Sequence, residues 1–231
     1  MSERDAAKRH YIDLSHVVRH GMVTYPGLPG PEICDHMTRE DSHEKYAPGT
    51  EFHIGRITMV ANTGTYLDAP FHRFSQGQDL AELDVSRLVD VPGLCLDVTG
   101  EKEPGVGLEQ LAGLEVTGRA VLIRTGWDVH WGTESYGAPG HPFLSGEGVR
   151  WLAERQPSVV GIDSVNIDDM ADATRPAHTA LLAAGIPVVE HMTGLDRLPA
   201  QGFRFHAAPV AVSGMGTFPV RAYALVDADN R

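Results

Sequence analysis

Apolar and polar residues alternate most clearly between residues 52 and 61, where the run FHIGRITMVA places β-branched or apolar residues at nearly every second position. This period is typical of a β-strand with one buried face. Later runs are short and continuously apolar, as strands buried on both faces are. These runs are VPGLCLDV (91–98), RAVLIRTG (119–126), SVVGID (158–163), IPVVE (186–190), PVAVSG (209–214) and VRAYALV (220–226).

Helical patterns lie between these predicted strands. In SGEGVRWLAERQ, Ser145 can cap a helix that carries Glu147 in its first turn. In HTALLAAG, good helix formers precede Gly185 and Pro187, which end a helix. The alternation predicts a mixed α/β protein. Because no internal repeat or polar linker divides the sequence, we expect one domain over residues 1–231.

Composition and charge narrow the class of protein. The 231 residues are 42% hydrophobic and 22% charged, which is typical of a globular chain. The net charge of -12 repels phosphate backbones and anionic lipid headgroups, so we expect neither a nucleic-acid nor a membrane partner. No signal peptide or membrane-spanning run is visible, which favours a cytoplasmic protein. Two cysteines, Cys34 and Cys95, encode neither a disulfide framework nor a thiolate zinc site.

The densest cluster of chemically active side chains is NTGTYLDAPFH, residues 62–72, which we expect to form a loop after the strand at 52–61. The cluster contains Asn62, Tyr66, Asp68 and His72 around Gly64, which permits a tight backbone turn. Oxygen and imidazole groups this close together can bind one cation. By residue type alone, a plain Asx-rich turn is the more common use of such a segment.

This segment resembles the HxGTHxDxPxH motif of the cyclase family of metal-dependent hydrolases, which includes bacterial kynurenine formamidase and isatin hydrolase. The resemblance extends to YIDLSHVVRHGMVTYPG near the start, GID near residue 161, PAHTALLAAGIPVVEHMTGLDRLP and the closing GMGTFPVRAYALV. It implies a swivelling β/β/α fold of the cyclase type, with a mixed sheet and flanking helices. It also suggests a homodimer or homotetramer acting on a small-molecule substrate.

The resemblance also implies roles for particular residues. Asp68, His178 and Glu190 stand at family ligand positions, and His72 stands at the position of the proton-shuttle histidine. Two further family ligands are histidines, and Asn62 and Tyr66 stand in their place.

Imidazole is a better zinc ligand than a carboxamide or a phenol, so the first metal position of the family is in doubt. We therefore expect one divalent ion, zinc or manganese, held by Asp68, His178 and Glu190. In this reading the ion activates water, His72 moves the proton and Tyr66 donates a hydrogen bond to the developing oxyanion.

Other candidate residues have weaker signals. His53 lies on the strand that leads into the motif, and Trp127 lies in a long loop where aromatic residues often line a pocket. We expect both to lie near the site. The acidic run around Asp168 is interpreted as a solvated turn. His191 is interpreted as an ordinary polar contact, and so is His206.

Three functions remain open from the sequence. The first is a metal-dependent hydrolase of a small amide, lactam or ester, formamidase-like and acting on a carbon–nitrogen bond other than a peptide bond. The second is a metal-free or weakly metallated cyclase, isomerase or dehydratase, in which Asp68, His72 and Glu190 do only acid–base work. The third is a non-catalytic binding paralogue. Metal content separates the first two functions, and turnover of any substrate excludes the third.

Overall fold

The computed structural model describes residues 9–227. Strands dominate this part of the chain. They are β1 (Arg9–Asp13), β2 (Glu32–Met37), β3 (Ile54–Thr58), β4 (Tyr66–Asp68), β5 (Val91–Asp97), β6 (Gly105–Val106), β7 (Ala120–Arg124), β8 (Phe143–Leu144), β9 (Val159–Ile162), β10 (Val188–Glu190), β11 (Gln201–His206), β12 (Thr217–Pro219) and β13 (Tyr223–Asp227). The α-helices are α1 (Arg39–Ser42), α2 (Leu108–Leu111), α3 (Gly146–Arg155) and α4 (Pro176–Ala183). Within the described residues, none of these helices has the length and apolar character that a bilayer crossing requires.

Nine of the strands form one mixed sheet in the order β1-β13-β11-β5-β7-β9-β10-β4-β12. The central strands β5, β7, β9 and β10 are parallel, and the strands outside them pair antiparallel. Helices α2, α3 and α4 lie in the connections between successive parallel strands, as parallel pairing requires. The predicted α/β class with a mixed sheet and flanking helices is confirmed.

The central strands are buried on both faces of the sheet. Along β7, Leu122 belongs to one core cluster, whereas Val121 and Ile123 belong to the other. Successive side chains of a strand point to opposite faces, so this continuous apolar run fills two cores at once. Leu152 of α3 and Leu181 of α4 pack into the same cluster as Val121. The helices therefore cover one face of the sheet.

Most of the predicted elements are present. Helix α3 begins after Ser145, whose hydroxyl accepts a hydrogen bond from the backbone N–H of Gly148. Helix α4 ends at Ala183, shortly before Gly185 takes a left-handed φ of 71°. Five of the six apolar runs contain a strand. The run at 209–214 was predicted wrongly, because it has no regular structure and its Val210 is 61% exposed.

The strand predicted at 52–61 exists as β3, but the prediction of a buried face is wrong. All residues of β3 are exposed, including Ile54 and Ile57. The reason is that β3 pairs only with β2, in a two-stranded ribbon separate from the main sheet. Alternation in a sequence indicates that a strand has two different faces, and it cannot show what covers either face.

The motif at 62–72 is only partly a loop. Gly64 takes a φ of 69°, as its place in a tight turn predicts. The residues that follow form β4, which is buried and pairs with β10 on one side and β12 on the other. The expectation of a loop is therefore wrong for residues 66–68. A three-residue strand is too short to show a period in the sequence.

Candidate metal centre

The register of three antiparallel strands assembles the acidic part of the site. Glu190 on β10 is the direct partner of Tyr66 on β4, and Asp68 lies two positions further along β4. Residues two apart on a strand share a face of the sheet, so the two carboxylates lie on the same side. On the other edge of β4, Thr217 of β12 is the partner of Asp68.

Helix α4 adds His178 to these carboxylates. The Nε2 atom of His178 lies 3.5 Å from Oδ2 of Asp68 and 3.7 Å from Oε1 of Glu190. Its Nδ1 atom lies 2.6 Å from Oδ2 of Asp168. The Asp168 carboxylate also accepts hydrogen bonds from two backbone N–H groups in the first turn of α4, one on each oxygen. Because Nδ1 donates its proton to Asp168, Nε2 is the atom left to bind a proton or a metal ion, and it faces the other two carboxylates. A carboxylate that fixes the tautomer in this way commonly supports a metal-binding histidine.

The residues present fit a divalent cation. The side chains of Asp68 and Asp168 are fully buried and Glu190 is 1% exposed, so three carboxylates surround one imidazole away from water. Among the described residues, Oδ2 of Asp68 has no hydrogen-bond partner although it is buried. An unpaired buried carboxylate oxygen is costly unless a cation binds it. Oxygen and imidazole donors of this kind suit zinc or manganese.

The electrostatics of the cluster point in the same direction. Burial raises the pKa of Glu190 to about 7, because the anionic form loses its hydration and also faces Asp68. Burial disfavours the charged form of His178, but Glu190, Asp168 and Asp68 together raise its pKa well above the usual value. The cluster thus attracts positive charge strongly, either a proton or a metal ion.

His72 lies beside the cluster and is linked to it through Thr217. The hydroxyl of Thr217 donates to Oδ1 of Asp68, so His72 must donate its own Nδ1 proton to Thr217, at 2.7 Å. Nε2 of His72 is then the basic atom. A side chain on Gly216 would collide with the backbone of His72, so the glycine lets β12 approach closely enough for this contact.

His72 also belongs to a second set of residues that could bind a metal ion. Asp68, His72 and His178 each offer a ligand atom, and these atoms lie within 4.8 Å of one another. These three residues could therefore hold an ion without Glu190. The contact between Thr217 and Nδ1 leaves Nε2 as the only atom through which His72 could bind a metal.

The other side of the site is a chain of neutral hydrogen-bonded rings. The hydroxyl of Tyr66 donates to Oε2 of Glu190 at 2.8 Å and lies 3.1 Å from Nε2 of His191. Nδ1 of His191 lies 2.9 Å from the hydroxyl of Tyr136. Burial lowers the pKa of His191 to about 3, so this ring is neutral. Nε2 then donates to Tyr66 and Nδ1 accepts from Tyr136, which satisfies all three polar groups.

A cavity of ≈ 320 Å³ opens onto these groups. It is lined by Tyr25, Leu28, Asn62, Tyr66, His72, Arg73, Asn166, Arg175, His178 and Glu190. Two residues predicted near the site are not part of this lining. Nε2 of His53 binds Asp35 beside the exposed ribbon, at 2.7 Å. Trp127 lines a different cavity, and its indole N–H donates to the backbone carbonyl of Tyr136.

Sequence reasoning missed several residues of the site. Asp168 was interpreted as a solvated turn, and this is wrong, since the residue is fully buried and orients His178. His191 makes polar contacts as predicted, but these contacts lie inside the site. The only sequence signal for that location is that His191 directly follows Glu190. Thr217 lies within the closing segment that resembles the family. Tyr136 has no signal in the sequence at all.

Comparisons with known proteins agree with this architecture. The chain is 29% identical over 212 residues to the kynurenine formamidase of Bacillus cytotoxicus, covering 92% of this chain and 95% of that protein. Among solved structures, isatin hydrolase A from Labrenzia aggregata bound to benzyl benzoate superposes with a TM-score of 0.81 at 24% identity, covering 95% and 94% of the two chains. An isatin hydrolase bound to the product analogue thioisatinate gives 0.79 at 25% identity, with coverage of 95% and 93%.

The family assignment rests on a direct match. The model of the family described as "Putative cyclase" matches residues 12–169 of this chain. This segment contains β4 with Asp68, the turn with His72, and Asp168. Because the match spans more than half of the 231 residues, the chain belongs to the cyclase family.

Proposed function

We propose that this protein is a metal-dependent hydrolase of a small amide, lactam or ester, formamidase-like and of the class that cleaves carbon–nitrogen bonds other than peptide bonds. The observation that carries the proposal is the buried acidic cluster. In it, Oδ2 of Asp68 accepts no hydrogen bond from the described residues and lies 3.5 Å from Nε2 of His178, and His72 lies beside both. Relatives named kynurenine formamidase and isatin hydrolase support the choice of bond.

Asp68, His178 and Glu190 hold a single zinc or manganese ion in this proposal, and Asp168 orients His178. The ion supplies Lewis-acid activation of water and of a substrate carbonyl. Glu190 keeps one lone pair for this role, because its Oε1 accepts only the backbone N–H of Ile167 among the described residues. The bond from Tyr66 to Oε2 holds the carboxylate in place.

His72 is the proton-transfer group. Its Nδ1–H is held by Thr217, which fixes the ring, and its side chain is 35% exposed towards the cavity. Nε2 accepts the proton of the attacking water and returns it to the leaving nitrogen or oxygen. Tyr66 is the proposed donor to the developing oxyanion, and its hydroxyl must turn from Glu190 towards the substrate for this step.

A metal-free cyclase, isomerase or dehydratase is the second candidate. The observation that favours it is the neutral hydrogen-bonded chain of Tyr66, His191 and Tyr136. In this chain a phenol, Tyr66, occupies a motif position at which the resemblance implies a histidine ligand. In that case Asp68, His72 and Glu190 would act as acids and bases alone, with Glu190 able to exchange protons near neutral pH because its pKa is about 7.

Elemental analysis combined with turnover separates these functions. Protein purified without chelators is analysed for zinc and manganese, then assayed on formanilides, N-formylkynurenine, isatin and para-nitrophenyl acetate. The proposal expects about one ion per chain and hydrolysis that a chelator abolishes and added metal restores. Hydrolysis that persists without metal would favour the metal-free candidate. Stoichiometric metal with no turnover on any acyl compound would favour a binding paralogue.

The assembly state is proposed from the family resemblance. We expect a homodimer or homotetramer, with no nucleic-acid or membrane partner. Light scattering on the purified protein measures the mass directly, and a monomer at micromolar concentration would contradict the expectation.

A further inference from the structure

Two arginines line the cavity beside the acidic cluster, Arg73 and Arg175. Apart from these two arginines and the histidines, the residues that line the cavity are neutral or anionic. Arg73 follows His72 directly in the chain, and Arg175 precedes α4, which carries His178. The two guanidinium groups therefore come from the two elements that supply the candidate catalytic histidines.

Arg73 is held against α4. Its Nε atom lies 3.4 Å from the hydroxyl oxygen of Thr179, and its guanidinium carbon lies 5.4 Å from the centre of the Phe74 ring. The first contact uses Nε, and the second is an attraction between the positive charge and the ring. Both terminal nitrogens thus remain available to a ligand in the cavity.

Arg175 is placed by an unusual backbone. Its φ of 50° and ψ of 62° lie in the left-handed region, which costs a residue with a side chain roughly 1 kcal/mol or more. Its side chain is half-buried, and Nη1 donates to the backbone carbonyl of Asp169 at 3.2 Å. A strained backbone beside a catalytic centre commonly serves to aim a functional side chain.

Neither arginine forms an ion pair within 4.0 Å among residues 9–227, although the charge of Arg175, after the hydrogen bonds from Thr174, contributes to the lowered pKa of Asp172. The ion pairs of the described chain involve other arginines, although acidic residues outnumber basic ones by 31 to 19. The carboxylates next to Arg175 in sequence are engaged elsewhere, since Oδ1 of Asp169 accepts from Ala171 and Oδ1 of Asp172 accepts from Thr174. Other described arginines, such as Arg119 and Arg150, also lack an ion pair, and what distinguishes Arg73 and Arg175 is that both line the cavity beside the acidic cluster. Two guanidinium groups at one cavity suit an anionic ligand.

We propose that Arg73 and Arg175 bind a carboxylate on the substrate, so that the enzyme selects acyl compounds that carry a negatively charged group away from the scissile bond. The inference rests on the proposed hydrolase function and adds the substrate class. A guanidinium fork matches a carboxylate in two parallel hydrogen bonds, which gives orientation as well as affinity. A substrate anchored there presents its carbonyl group to the Asp68–His178 cluster and its leaving group to His72.

The test compares two substrates of equal shape. Para-formamidobenzoate carries the carboxylate, and para-nitroformanilide carries a neutral, planar nitro group in its place. We measure kcat and KM for both in the wild type, Arg73→Gln, Arg175→Gln and the double variant. The ratio of kcat/KM for the charged over the neutral substrate is expected to fall about tenfold per arginine, mainly through KM. Dividing by the wild-type ratio removes the difference in chemical reactivity of the two compounds.

Controls separate a binding role from a structural one. Arg150→Gln removes an exposed arginine of α3 outside the cavity and changes the net charge equally, so its ratio should match the wild type. Arg175→Lys keeps the charge and loses the fork, and it should retain part of the preference. Thermal unfolding of each variant checks the fold, because Arg175 also positions the start of α4.

A binding experiment keeps this inference independent of the proposed function. Calorimetry with para-acetylbenzoate and para-nitroacetophenone, which have no scissile amide, measures charge recognition even if no substrate is turned over. Weaker binding of the benzoate in the two glutamine variants would support the arginine pair although the hydrolase proposal failed. Equal binding in the wild type and the double variant would overturn the inference, and would mean that the carboxylate binds at the metal centre or outside the cavity.

Discussion

The acidic side of the cavity differs from the aromatic side in how its buried polar atoms are satisfied. On the acidic side, three carboxylates surround His178, and Oδ2 of Asp68 accepts no hydrogen bond from residues 9–227. On the aromatic side, Tyr66, His191 and Tyr136 satisfy one another completely and carry no charge. Both sides are buried. An unpaired carboxylate oxygen, which a cation would satisfy, lies on the acidic side, whereas the unpaired atom next to the aromatic side is a nitrogen, Nε2 of His16, whose ring stacks on Trp131.

The difference shows how two substitutions in a family motif can change a site without dismantling it. By the resemblance to the family motif, Asn62 and Tyr66 stand where histidines are expected. The phenol of Tyr66 bonds to His191 and Glu190. The acidic side keeps its charge and its oriented histidine, so it remains suited to one ion. The variants that follow weaken or convert one side while leaving the other intact.

Asp68→Asn should have the largest effect. The substitution removes the carboxylate that faces both His178 and Thr217, so we expect loss of the bound ion and a fall in turnover of roughly a thousandfold or more. Plasma emission analysis of the metal and steady-state assays measure both quantities. Asp172→Asn, at an exposed carboxylate, is the matched control. Full metal content in Asp68→Asn would remove Asp68 from the centre.

His72→Ala should lower turnover by roughly a hundredfold while metal content stays the same, since the residue transfers a proton and does not hold the ion. The same assays measure the effect. Loss of the ion instead would make His72 a ligand, in agreement with the alternative set of Asp68, His72 and His178. Thr217→Val keeps the shape of the side chain and removes the hydroxyl that contacts both Nδ1 of His72 and Oδ1 of Asp68, so metal content is measured beside turnover. It should reproduce part of the loss if that contact fixes the ring.

Replacing both Asn62 and Tyr66 by histidine should convert the aromatic side into a second metal position. Two imidazoles added beside Asp68 provide three good ligands, enough for about one additional zinc ion per chain. Titration calorimetry on metal-stripped protein compares the double variant with the wild type. Equal stoichiometry and affinity in both proteins would show that these two positions do not set metal occupancy. Tyr66→Phe is the control that breaks the ring chain without adding a ligand.

Tyr136→Phe should have the smallest effect, confined to stability. The variant leaves Nδ1 of His191 buried without a donor, which costs about 1–3 kcal/mol of unfolding free energy. Turnover should change little, because the acidic side is intact. Denaturant unfolding measures the loss, and Tyr11→Phe, at a tyrosine that is 73% exposed, should shift stability by no more than about 0.5 kcal/mol. A large loss of activity would show that the two sides are coupled.

Local sequence patterns predicted the strands that are buried on both faces of the sheet. The apolar runs that became β5, β7, β9 and β10 are continuous because both faces of the central strands are covered, and this signal lies within the run itself. The capping of α3 by Ser145 is equally local. By contrast, the exposed β3 and the irregular segment at 209–214 depended on what packs against them, which no window of sequence contains.

The sequence by itself determined the residue types of the site, through the motif from Asn62 to His72 and the positions of His178 and Glu190. Only the tertiary structure decided which of these residues meet, and how. The pairing of β4 with β10 and β12 sets Asp68 beside Glu190 and Thr217, and the start of α4 brings Asp168 onto His178. The contacts of Asp68 join residues more than a hundred positions apart, whereas Asp168 and His178 are ten residues apart and meet because Asp168 accepts hydrogen bonds from the first turn of α4. Their geometry follows from strand register and helix placement. Both are set by the packing of the whole sheet, so no local stretch of sequence encodes them.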